Sequence, residues 1–166
     1  GSRVEKRTCD VQKFWESGIL NPKSNVQFGE GGAGTFSDGK LNTSVKDPSG
    51  RNRLVLETFV RFGADPSILY DNKPHIGTDV LSEVIINMRE FLVDKGATFI
   101  FDTCVSNLDI VSQKLLSVYT DSDSNSNSEI KTDVCVLALG HSARDTFDML
   151  YNKGFDMECK SFAVGF

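Results

Sequence analysis

Apolar residues recur at helical spacing in four stretches of the chain. Val4 to Ser17 sets Val11, Phe14 and Trp15 on one side and stops at Gly18. Leu54 to Phe62 repeats the pattern with Val55, Phe59 and Phe62, ends at Gly63, and leads into a turn at Asp65-Pro66. The clearest stripe is Leu81, Val84, Ile85, Met88, Phe91 and Leu92. Thr78 or Asp79 can cap the start of that helix, and Gly96 closes it. Ala143 to Lys153 carries Phe147, Leu150 and Tyr151 on its inward side and ends at Gly154.

Between the last two helices the period changes to that of strands. Thr98 to Phe101 is a short apolar strand. Cys104 to Val111 and Leu115 to Thr120 alternate as a hairpin turning at Ser112-Gln113-Lys114. Asp121 to Ser128 is an Asp/Ser/Asn tract, read as a solvated hairpin insertion without function. Val134 to Leu139 is unbroken apolar sequence, the pattern of a strand buried on both faces. A further apolar run occupies Phe162 to Phe166. Helices interleaved with strands predict an α/β class with a β-hairpin excursion. Asn21 to Gly50 fits neither period. It is rich in glycine and short polar residues, yet it carries Val26, Phe28, Phe36 and Leu41, so it is expected to be an ordered loop wrapped on the fold.

Composition narrows the possible functions. With 166 residues, 39% of them hydrophobic and 25% charged, the chain can build a core without disulfides or metal. A net charge of −5 argues against nucleic acid or an anionic membrane as partner. No apolar run approaches the roughly 20 residues of a membrane span, and no signal-peptide pattern is present. Gly1-Ser2 reads as a cloning scar. Cys9, Cys104, Cys135 and Cys159 lack the spacing of a redox dithiol or zinc knuckle, so no metal site is expected. They are read as reduced, mostly buried thiols of a reducing compartment, cytoplasm or organelle matrix.

Several motifs carry candidate chemistry. Gly29 to Gly34 matches G-x-G-x-x-G, but no helical stripe follows to receive a pyrophosphate, so a Rossmann first turn is not expected there. Gly34 to Lys40 spells a P-loop with Leu41 in the place of the Mg²⁺-binding Ser or Thr, which disfavours an NTP-dependent enzyme. Both near-matches still concentrate backbone N–H groups and the donors Thr35, Ser37 and Lys40 around a loop suited to a phosphate or a flat anionic ring. Gly140-His141-Ser142-Ala143-Arg144 stands where a hydrolase nucleophile elbow would. Arg144 and the absence of a later histidine exclude that reading, leaving Gly140, His141 and Ser142 at the end of an expected sheet strand, where open α/β sheets bind ligands. His75 is either a proton donor or substrate ligand, or a histidine that caps a loop.

Three long motifs, in order, resemble a family of FAD-dependent dehydrogenases. They are Ser24 to Leu41, Lys73 to Asp79, and Leu137 to Thr146; Phe162 to Gly165 is similar to the family's continuation. The resemblance implies a flavoprotein with an FAD/NAD(P)-binding, Rossmann-like domain and a second, substrate domain. This chain is then an interior piece, lacking the family's first G-x-G-x-x-G unit and its C-terminal part. The family would assign flavin contacts to Gly31, Gly32, Gly34, Thr35, Ser37, Asp38, Gly39 and Lys40. Val105 would meet the adenine through its backbone, and Gly140, His141 and Ser142 would close over the dinucleotide.

The resemblance implies hydride transfer through bound FAD, with NAD(P)H as a candidate electron donor. Lys40 and His75 are the catalytic candidates, Lys40 as the group that stabilises negative charge on the reduced ring. Residues 1–50 would form a helix and flavin-contacting loop, 51–96 a helical part, and 97–166 the β-meander, buried strand and helix of the FAD domain. The competing expectation is a piece that folds without binding flavin, as a homodimer through an unpaired sheet edge.

Overall fold

The computed structural model describes residues 1–36, 39–41, 47–122 and 128–161. Two compact units divide the chain, Gly1–Asp102 and Thr103–Phe166. Among the described residues there are four helices and a three-stranded antiparallel sheet, so the fold belongs to the mixed α/β class.

The first unit is helical. Helix α1 spans Val4–Ser17, and Gly18 stops it in the left-handed region at φ 72°, its N–H donating to the Phe14 carbonyl at 2.8 Å. Helices α2 (Arg51–Arg61) and α3 (Thr78–Asp94) are each followed by a glycine and an alanine that both bond back. Gly63 and Ala64 donate to Val60 and Phe59 at 3.1 and 2.9 Å. Gly96 and Ala97 donate to Val93 and Leu92, both at 2.9 Å. Each pair satisfies two carbonyls that a helix C-terminus leaves open. Gly77 occupies the N-cap of α3, and the helix begins at Thr78. Between α2 and α3, Asp65 accepts from the Ser67 N–H at 2.8 Å and starts a 3-10 turn over Pro66–Leu69. Ala64, Ile68, Ile76, Leu81 and Val84 form the core, and Leu41, Phe59, Ile85 and Met88 pack around it.

The cap of α3 thus falls on Gly77 and not on Thr78 or Asp79, and further expectations fail in this unit. Trp15 does not face inward; it is 73% exposed, and the inward stripe of α1 is Val4, Arg7 and Val11. Thr98 to Phe101 is not a strand, and Ile100 is 57% exposed. An extended segment becomes a strand only when a neighbour takes its backbone groups, and no described strand pairs with this one.

The second unit holds the sheet. Strand β1 (Thr103–Val111) pairs with β2 (Lys114–Ser122), and β2 pairs with β3 (Ser128–Lys131). Ser112 and Gln113 form the two-residue turn, with φ of 52° and 65°. Those angles are the mirror-image turn whose twist matches a hairpin, here made without the usual Asn-Gly. Helix α4 (Arg144–Asn152) packs Leu150 against Leu108 and Val118, with Val105, Leu115, Leu139 and Met149 around them.

Val134 to Leu139 was expected as a doubly buried strand and is not one; Val134 is 70% and Val136 84% exposed. A strand buried on both faces needs flanking strands and a covering layer on each side, and no described strand pairs with this segment. Tyr151 also points outward, at 70% exposure. All four cysteines are free, but none is buried. Cys9 lies on the solvent side of α1, two residues past Arg7, and Cys135 falls within the exposed 134–139 stretch. The expectations for Ser37, Asp38 and the Phe162 to Phe166 run lie outside the described residues.

Candidate functional site

The glycine-rich loop of the first unit is built around Arg7. This side chain leaves the middle of α1 fully buried, and its guanidinium meets backbone carbonyls instead of a carboxylate. Nη2 donates to the carbonyls of Asn25, Val26 and Gly32, each at 3.1 Å, and Nε donates to Asn25 at 3.3 Å. Nη1 donates to the Glu30 carbonyl. The Phe36 ring lies under the cation, 4.8 Å from the guanidinium carbon to the ring centroid. Burial pulls the Arg7 pKa below its usual value while the charge of Glu30 opposes the shift. An arginine keeps its charge under such conditions.

That clamp orients the loop. In a trans peptide the carbonyl of one residue and the N–H of the next point in opposite directions. Carbonyls of Asn25, Val26, Glu30 and Gly32 turned toward Arg7 therefore turn the amides of Val26, Gln27, Gly31 and Ala33 away from it. Asn25 Oδ1 accepts the Gln27 amide at 2.8 Å. A second ionic knot holds the loop to two helices. Arg89 Nη1 reaches Glu30 Oε2 at 2.6 Å, and Arg89 Nη2 reaches Glu5 Oε1 at 2.5 Å. The Val4 N–H also donates to Glu30 Oε2, at 2.9 Å. The hydrogen bond from Arg89 holds the Glu5 carboxyl below the usual range, and Glu5 in turn raises the Arg89 pKa.

The glycines of this loop serve different ends. A Cβ at Gly31 would run into the Thr35 hydroxyl and Ile85, and one at Gly39 would overlap the Ile76 carbonyl. Those two glycines allow close internal packing, and both have positive φ, 83° and 61°. A Cβ at Gly32 would meet none of the described residues within 4 Å, but its φ of 66° itself favours glycine. Gly34 is different. It sits in the 3-10 turn Ala33–Phe36 without a positive φ, and a Cβ there would also meet none of the described residues within 4 Å. Among the described residues, neither its conformation nor a neighbouring atom requires glycine at this position. Thr35, beside it, is fully buried, and its hydroxyl has no hydrogen-bond partner among the described residues.

The loop's exit is joined to the segment before α3. The Leu41 N–H donates to the Pro74 carbonyl and the Ile76 N–H to the Gly39 carbonyl, both at 3.0 Å. The result is an isolated antiparallel bridge with Lys40 opposite His75. Two of the three resembling motifs, Ser24 to Leu41 and Lys73 to Asp79, thus meet through the backbone.

In the second unit Val105 is half-buried on the β1 face that packs on Leu108, Val118 and Leu150, and it pairs with Thr120 across the ladder. Gly140 has φ 69°, and Ser142 Oγ lies 2.6 Å from His141 Nδ1. Ser142 immediately precedes Ala143, the N-cap of α4. Cys104 Sγ lies 3.8 Å from Asp145 Oδ2. Partial desolvation, and then the Asp145 charge, push its thiol up, away from a reactive thiolate. No cluster of metal-ligating side chains occurs among the described residues. No helix there is long and apolar enough to cross a membrane.

Sequence reasoning passed over Arg7, Glu30 and Arg89. A signal for the two arginines existed: Arg7 interrupts the Val4–Val11 stripe, and Arg89 lies one turn beyond Ile85 on the core side of α3. A cation in an apolar stripe needs partners, which it finds here in carbonyls and carboxylates.

The chain is similar to a clostridial protein. An uncharacterised protein of Clostridium beijerinckii is 44% identical over 165 residues, covering 99% of this chain and 30% of its own length. The chain therefore spans less than a third of the relative it matches, and both units fall within the matched stretch. No family model matches the chain.

Proposed function

We propose that this chain is part of an FAD-dependent oxidoreductase, and that the loop from Gly31 to Lys40 is its flavin-contacting segment. The Arg7 clamp carries the reading: it fixes the loop and turns the amides of Gly31 and Ala33 away from its own cation. These groups fit an anionic pyrophosphate or the polar edge of a flat ring. Bound FAD would accept or deliver the hydride. Arg7, Glu30 and Arg89 would hold the loop, and Lys40 would place positive charge near the reduced ring. His75, across the bridge, is the candidate for proton transfer. In the second unit, the Val105 backbone and Gly140 to Ser142 are the adenine and dinucleotide contacts that the resemblance suggests. NAD(P)H is the proposed electron donor, and a reducing compartment, cytoplasm or organelle matrix, the proposed location.

The test is the visible absorbance of the purified full-length protein, with this chain measured beside it. A yellow full-length protein supports the reading. A protein that stays colourless after incubation with FAD overturns it.

A second reading is favoured by one specific feature. An apolar groove of about 640 Å³ in the second unit, lined in part by Leu108, Leu115, Val134, Leu137 and Phe155, suits self-association of this chain without flavin. Light scattering at two concentrations tests it, and a strict monomer at the higher concentration refutes it.

A further inference from the structure

The first two residues of the chain are tied into the fold beside the end of an extended segment. The Asp102 N–H donates to the Gly1 carbonyl at 2.8 Å, and the Glu30 N–H donates to the Ser2 carbonyl at 3.0 Å. Ser2 Oγ donates to Asp102 Oδ1 at 2.6 Å, and Lys6 Nζ lies 3.6 Å from Asp102 Oδ2. Ser2 is 1% exposed, and a Cβ on Gly1 would run into the Gly29 backbone. Asp102 has φ 51°, a left-handed conformation that an L-residue adopts only at a cost, and these bonds offset it. Gly1-Ser2, expected as a cloning scar, is thus built into the first unit.

The segment that leads into Asp102 lacks such contacts. Phe99 and Phe101 stack at 6.0 Å and 15°, the spacing of alternate side chains on an extended chain. Phe99 and Ile100 are both exposed. Among the described residues, no backbone N–H or carbonyl of Thr98, Phe99 or Ile100 forms a hydrogen bond. Alternation along an extended chain points the amides of Thr98, Ile100 and Asp102 toward one edge. Asp102 bonds Gly1 there, so the edge is occupied at one end and open along the rest. A groove of about 560 Å³, lined in part by Arg3, Val93, Phe99 and Phe101, adjoins it and leaves room for side chains.

We propose that the residues directly preceding Gly1 in the full-length protein form a β-strand along this edge. Its carbonyls would take the amides of Ile100 and Thr98 and extend the Asp102–Gly1 bond into a ladder. An apolar segment with open backbone groups is a template for exactly one kind of neighbour, another strand. The relative matched by this chain holds more than twice as much chain outside the matched stretch as within it. Of that chain, the residues entering Gly1 start from a position already fixed by the bond to Asp102, so pairing them closes no new loop. A second copy of this chain would also have to give up its translational and rotational freedom. The proposal stands on these contacts and does not depend on flavin.

Amide hydrogen exchange resolved to single residues, in the full-length protein and in this chain, tests the pairing. In this chain Thr98 and Ile100 should exchange as an open chain does, while Val84 and Ile85 in α3 stay slow. In the full-length protein Thr98, Ile100 and a run of residues before Gly1 should all exchange at least about a hundredfold more slowly than an open chain. Ile100→Pro removes one donor of the ladder. It should leave the melting midpoint of this chain unchanged within about 1 °C. In the full-length protein it should speed exchange in the run before Gly1 at least about tenfold, whereas Ile100→Ala, which keeps the amide, should not. Fast exchange of Thr98 and Ile100 in the full-length protein overturns the proposal. So does fast exchange before Gly1, or exchange there that ignores Ile100→Pro. Slow exchange of Thr98 and Ile100 in this chain alone, growing with its concentration, also overturns it and assigns the edge to a second copy.

Discussion

Gly34 and Gly39 lie five residues apart in one loop, and of the two only Gly39 has a described neighbour that excludes a side chain. Substituting alanine at each should therefore separate ligand approach from folding. At Gly39 the new methyl would overlap the Ile76 carbonyl, and the φ of 61° is one that alanine adopts at a cost of about 1–2 kcal/mol. Steric overlap adds to this, so Gly39→Ala should destabilise the first unit by more than about 2 kcal/mol. At Gly34 the methyl would meet none of the described residues, on a backbone that alanine accepts. Lower entropy of the unfolded chain then favours folding by about 0.4–1 kcal/mol. For a unit of 102 residues, thermal unfolding should shift about 4 °C per kcal/mol, upward for Gly34→Ala and downward for Gly39→Ala. Differential scanning fluorimetry of this chain reads both. In the full-length protein, Gly34→Ala should lower flavin affinity about tenfold, the effect of forcing a well-fitted contact apart by a methyl group. A Gly34→Ala protein that loses stability would show that the glycine is structural. One that gains stability and keeps its flavin would show that nothing approaches this backbone.

Other substitutions test the elements that hold the loop. Arg7→Met should cost about 3–5 kcal/mol in urea unfolding, because it leaves several buried carbonyls without a donor; a loss below about 1 kcal/mol would mean the clamp contributes little. Glu5 has its carboxyl held below the ordinary 4.5 by Arg89 in the fold, so its contribution is present above that value. It disappears as pH falls through the lowered folded value. Urea midpoints should drop between about pH 5 and 3 in the native chain and less so in Glu5→Gln, and parallel curves would refute the linkage. In the second unit, replacing Ser112-Gln113 by Asn-Gly should stabilise the hairpin by about 1 kcal/mol, since both positions have positive φ. An unchanged melting midpoint would count against the strain.

How much could be read from the residues depended on whether the signal was local. Helices end at glycine because a left-handed residue lets the next amides fold back onto the last carbonyls, and Gly18, Gly63, Gly96 and Gly154 marked those ends correctly. The hairpin was legible for the same reason, since alternation and a short polar turn suffice to form it. Two kinds of feature were not legible. Whether an apolar stretch becomes a strand depends on a neighbour distant in sequence, and neither Thr98 to Phe101 nor Val134 to Leu139 pairs with a strand among the described residues. Side-chain direction at a helix edge depends on what lies across from it, so Trp15 could be placed on the wrong side of α1 although the helix itself was bounded correctly.

The candidate loop lies between these extremes, and Arg7 explains why. A glycine-rich stretch with scattered phenylalanines is ambiguous by period, because its conformation is set neither by its own propensities nor by a ladder. Here it is set by one cation that collects carbonyls from residues 18 to 25 positions further along the chain. Carbonyls are present at every residue, so no acceptor pattern in the sequence announces such a clamp. The legible sign is the donor: an arginine in an apolar helical stripe, upstream of a segment rich in glycine. Once that is taken into account, amides turned away from Arg7 follow from peptide planarity and the packing glycines from close approach. Gly34 is then the position for which the described residues supply no internal reason.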